Sequence, residues 1–94
     1  MGIIFGKKED KDNTTTREGA RNGLKFAISQ GVKFLKMNSD KLCHRDLDDL
    51  TVLLENTQEW YKNSDLKKNT TSEYKSHAKE LNELVDNLDI QIGK

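Results

Sequence analysis

The sequence has no proline, one cysteine and two histidines, and only 6 % of its residues are aromatic. Each shortage excludes something. A single cysteine, Cys43, rules out an internal disulfide and a cysteine-based zinc site. His44 and His77 stand far apart and do not complete a ligand cluster with it. No apolar run approaches the roughly 20 residues that span a bilayer, and the apolar start Met1–Phe5 is too short for a secretory leader. The Asn-x-Thr triplets at Asn13 and Asn69 are then incidental, and a cytoplasmic location is expected. There is no excess of either charge, with 16 basic and 16 acidic side chains.

Chemistry-bearing motifs are missing as well. No phosphate-binding glycine loop, dinucleotide fingerprint or nucleophile elbow occurs. The carboxylates of Asp46, Asp48 and Asp49 do not follow calcium-loop spacing, and a helix start accounts for them. Cys43 falls on an apolar stripe and reads as a small core residue. His77, with Glu73 four residues before and Glu80 three after, reads as a boundary histidine. No catalytic residue, metal ligand or cofactor is therefore expected.

What remains is helical periodicity. Residues 1–14 form an expected flexible tail, with the apolar tip Met1–Phe5 followed by the polar run GKKEDKDNT. Residues 15–94 form one helical domain. Thr15 and Glu18 fit a capping box, and Ala20, Leu24, Ala27, Gly31 and Phe34 recur at a 4-3-4-3 spacing to Asn38, a candidate left-handed cap. Ser39 is the expected N-cap of a second helix, with a stripe through Cys43, Leu47, Leu50, Leu54, Thr57 and Tyr61. Thr70 and Glu73 repeat the capping box before Tyr74, Ala78, Leu81, Val85, Leu88 and Ile92, and Gly93 is the expected terminating glycine.

These stripes predict an all-α fold with helices over about 16–37, 40–62 and 71–92. The expected arrangement is a three-helix up-down-up antiparallel bundle, or a helical hairpin that dimerises, with a disordered N-terminal tail. The core should include Leu50, Leu54, Leu81, Val85 and Leu88. Phe26, Met37, Val52, Leu66 and Ile90 fall outside the stripes.

Charge is unevenly distributed. Residues 1–45 carry 10 basic and 5 acidic side chains, and residues 46–94 carry 6 and 11. Either the basic first helix pairs with acidic neighbours across the bundle, or it presents a patch to an acidic partner. Nucleic acid is disfavoured as that partner, because the chain is neutral overall and the third helix is acidic. Ile3, Ile4 and Phe5 supply only a few kcal/mol, at about 25 cal/mol per Å², for weak contact with a membrane surface.

The reading that follows is a small helical protein–protein interaction module without catalytic activity, acting as adaptor, inhibitor or assembly factor. Its partner is another protein, itself, or both. The candidate surface is Ile3, Ile4, Phe5, Arg21, Lys25, Phe26, Lys33 and Lys36. Gly19, Gly23 and Gly31 lie inside the first helix, where glycine costs about 0.8–1.0 kcal/mol relative to alanine. Close approach of another helix, within the bundle or from another chain, would explain them, and because so small a bundle buries little area alone, a homodimer or higher oligomer is expected with this helix in or beside the interface. Two other readings share the sequence: a peripheral membrane-surface accessory protein using Met1–Phe5 and the basic helix, and a small phage- or plasmid-type nucleic-acid-binding regulator.

Overall fold

The third helix shows most plainly how the sequence sets its boundaries. Thr70 N–H donates to Glu73 Oε1 at 2.9 Å, and Glu73 N–H donates to Thr70 Oγ1 at 3.2 Å. The capping box is thus closed in both directions. Asn69 Nδ2 adds a bond to the same Glu73 oxygen at 3.2 Å. The bond from the Thr70 backbone, and then the one from Asn69, hold the Glu73 carboxyl below its ordinary pKa.

This cap makes a pH prediction. A carboxyl with a lowered folded-state pKa contributes fully above its unfolded value and loses the contribution as pH falls through the lowered one. The gap in melting temperature between wild type and Glu73→Ala should be widest near neutral pH. It should close on acidification below the ordinary glutamate range. A gap independent of pH would contradict the capping role.

The computed structural model describes residues 14–93. It contains α1 (Thr14–Asn38), α2 (His44–Asn63) and α3 (Thr71–Gly93). These helices make up 85 % of the described residues, which include no strand. The fold is all-α. The apolar tip Ile3–Phe5 and most of the expected tail lie outside the described residues, and Thr14 already belongs to α1. Thr15 is therefore inside α1 and does not occupy its N-cap.

Two further expected caps are corrected. Ser39 does not start α2, which begins four residues after Asp40. The Asn38 carbonyl accepts from the N–H groups of Lys41 and Leu42 at 2.9 and 3.1 Å, and Asn38 Nδ2 donates to Phe34 O at 2.9 Å. The resulting turn carries Leu42 onto the core, and this burial outweighs an earlier helix start at Ser39. Gly93 is the second correction: it stays within α3 without a left-handed backbone.

Cys43 becomes the N-cap of α2, with extended dihedrals of −72° and 162° and no side-chain bond to the helix. It is exposed, so its expected place in the core is also corrected. Its conformation is the one a capping serine adopts. Cys43→Ser should stabilise the fold by about 1 kcal/mol, because the hydroxyl can accept an orphan amide. An unchanged or lower urea midpoint would show that α2 gains nothing from a capping hydroxyl there.

The core is small. Leu24, Ala27, Leu50, Leu54, Tyr74, Leu81 and Leu88 are its buried hydrophobic residues. Of the expected core, Val85 is only partly buried, packed against that cluster. Phe26, Met37, Val52 and Ile90 are exposed, while Leu66 is half-buried.

Residue pairs from different helices fix how the elements meet. Arg21 of α1 places its guanidinium carbon 4.4 Å from the centre of the Tyr61 ring at the end of α2. Farther along α1, Gly31 lies against Leu54 in the middle of α2. Trp60 of α2 meets Tyr74 of α3 edge-on, with ring centroids 5.2 Å apart. Arg17 Nη1 donates to the Leu66 carbonyl at 2.7 Å, tying the start of α1 to the connector before α3. That connector is closed on itself, since Asn69 and Lys68 both donate to Asp65 O. α1 makes its most extensive contact with α3, and the body measures 53 × 30 × 16 Å.

Candidate functional site

α1 and α3 do not close completely against each other. Between them runs an open groove of about 670 Å³. Its α1 wall is Thr16, Gly19, Ala20 and Gly23. Its α3 wall is Lys75, Ala78, Lys79, Asn82, Glu83 and Asp86. Small residues line the inner surface because no side chain from either helix fills it. A Cβ built on Gly19 or Gly23 would meet nothing within 4 Å.

The three glycines of α1 therefore divide. At Gly31 a Cβ would stand 2.8 Å from Leu54 Cδ2 and 3.6 Å from Leu81 Cδ1. Close packing within the chain explains that glycine. Among the described residues nothing packs against Gly19 or Gly23.

The groove has a charge order. Lys75 and Lys79 lie towards the start of α3, and Glu83 and Asp86 follow one and two turns later. Phe26 stands one turn beyond Gly23 on the same side of α1 and is 64 % exposed. Met37, farther along α1, is 65 % exposed, and Ile90, one turn beyond Asp86 on α3, is 60 % exposed. Large apolar side chains thus continue the surface past the acidic end of the groove.

The residues expected to form a partner surface separate into three groups. Ile3, Ile4 and Phe5 lie outside the described residues. Lys25, Phe26, Lys33 and Lys36 are exposed on α1. Arg21 is half-buried with its guanidinium over Tyr61, so it serves packing between α1 and α2. The α3 wall was missed by sequence reasoning. Its signal was available in the spacing of Lys75, Lys79, Glu83 and Asp86, which places like charges one turn apart along one side of the helix.

The other chemistry-bearing side chains have structural surroundings. His77 stacks on Trp60, with ring centroids 4.0 Å apart and planes 30° apart. His44 is exposed at the start of α2. Among the described residues no three histidine, cysteine or carboxylate side chains converge on a point that could hold a metal ion. No helix among them is long and apolar enough to cross a membrane. A scan against protein-family models, a search of curated proteins and a search of solved structures each return no match to this chain.

Proposed function

We propose that this chain is a small helical protein–protein interaction module without catalytic activity, and that the α1–α3 groove is its docking surface. The observation carrying this reading is the groove itself: an open trough between two helices, with Gly19, Ala20, Gly23 and Ala78 among its lining residues and exposed Phe26 one turn beyond Gly23 on α1. Glycine weakens a helix, and here it makes room that the side chains of the described residues leave unused. Exposed large apolar residues beside such a trough are what a protein partner buries. The α1–α2 and α2–α3 pairs described above favour an up-down-up course, which leaves the α1–α3 side without a third helix across it. A lone exposed cysteine suits a reducing compartment, in keeping with cytoplasmic action.

Site-specific photo-crosslinking in native lysate tests the reading. A benzophenone side chain in place of Phe26 should yield crosslinks to protein. The same group in place of Val52, exposed on α2 away from the groove, should yield far fewer. Equal or absent crosslinking from the two positions would refute the groove as a docking surface.

A further inference from the structure

Resting on the reading that this groove docks protein, we infer that its occupant is a second copy of the chain. The α3 helix of each copy lies antiparallel in the groove of the other. Lys75 and Lys79 are four residues apart, and Glu83 and Asp86 are three apart, so like charges neighbour one another along the helix surface. Within one chain the neighbours inside each block repel, and only Lys79 and Glu83, four residues apart, set opposite charges together.

An antiparallel copy gives every charge of the two blocks an opposite neighbour. The charge blocks are mirror images about position 81: Lys79 lies two residues before it and Glu83 two after, Lys75 six before and Asp86 five after. Turning a second α3 end for end about that point sets Lys79 opposite the partner's Glu83, and Lys75 opposite the partner's Asp86. The two-fold axis generates each pair twice. Self-complementarity of this kind is what an isologous interface requires. The dipoles of the two helices then oppose each other favourably, and Gly19 and Gly23 leave open space in which the partner's backbone can approach. A parallel copy would instead set lysine against lysine and acid against acid. A foreign partner, or residues 1–13 of the same chain, would have no reason to match this mirror order.

Sedimentation equilibrium of the full chain with exchanged charges decides the matter. Wild type should dimerise, more weakly at high salt. Lys79→Glu alone and Glu83→Lys alone should each raise the dissociation constant about tenfold or more, because like charges now face each other, while far-ultraviolet circular dichroism stays helical. Mixing the two single variants should restore the dimer, since every facing pair becomes opposite in sign. The double variant Lys79→Glu/Glu83→Lys should dimerise with itself for the same reason. A variant that had merely misfolded would not regain mass with its complement. A monomeric wild type, single variants that dimerise unchanged, or no recovery in the mixture and the double variant would each overturn the proposal. A monomeric wild type that still crosslinks a different protein through position 26 would overturn this inference alone and leave the docking surface standing.

Discussion

Leu81→Ala is expected to lower the unfolding free energy by about 2–5 kcal/mol. Leu81 is fully buried in the cluster formed with Ala27, Leu50, Leu54 and Leu88. A Cβ built on Gly31 would stand 3.6 Å from its Cδ1, and the cluster it belongs to draws residues from all three helices. Removing it leaves a cavity at the point where the helices meet. A core with seven buried hydrophobic residues has few neighbours able to collapse into the space. In a domain whose stability is about 5–15 kcal/mol at most, the loss should move the urea midpoint conspicuously. Coincident midpoints for Leu81→Ala and wild type would show that the three helices do not share this core.

The second large effect is expected at Gly31. Gly31→Leu should destabilise the fold by about 1–3 kcal/mol or more, the usual range for overpacking a filled core. The first added carbon already meets Leu54 Cδ2 at 2.8 Å, and Leu54 is itself only 3 % exposed, so it has little room to yield. Gly23→Leu is the matched control, because a Cβ there meets nothing within 4 Å. It should leave the melting temperature of the monomer unchanged or raised, since leucine is the better helix former. It should, however, weaken assembly by filling the groove. Equal thermal penalties at the two positions would contradict the division of the glycines into packed and open.

That division marks where the sequence stopped being informative. The 4-3 spacing of Leu24, Leu50, Leu54, Leu81 and Leu88 disclosed the helices and their buried sides, because periodicity is a local property of the chain. The Thr70–Glu73 cap was legible for the same reason. Gly19, Gly23 and Gly31 look alike in sequence, and only the path of α2 makes one tight and leaves two open. Cys43 failed in a similar way. Its place on an apolar stripe was correct by spacing, but the turn that buries Leu42 shifts the start of α2 and leaves Cys43 outside. Arg21 read as part of a basic patch until Tyr61, forty residues away, was found beneath it. The α3 wall was present as a pattern of charges, yet a charged helix side is usually only solvated. It gained a meaning once the glycines of α1 were seen across from it.

The central claim is that the α1–α3 groove docks a second copy of the chain. Sedimentation equilibrium of the unmodified protein, from low to high micromolar concentration at low salt, tests it most directly. The mass is expected to rise with concentration from that of a 10.8 kDa chain towards twice that value. A single species of 10.8 kDa across the whole range would contradict it.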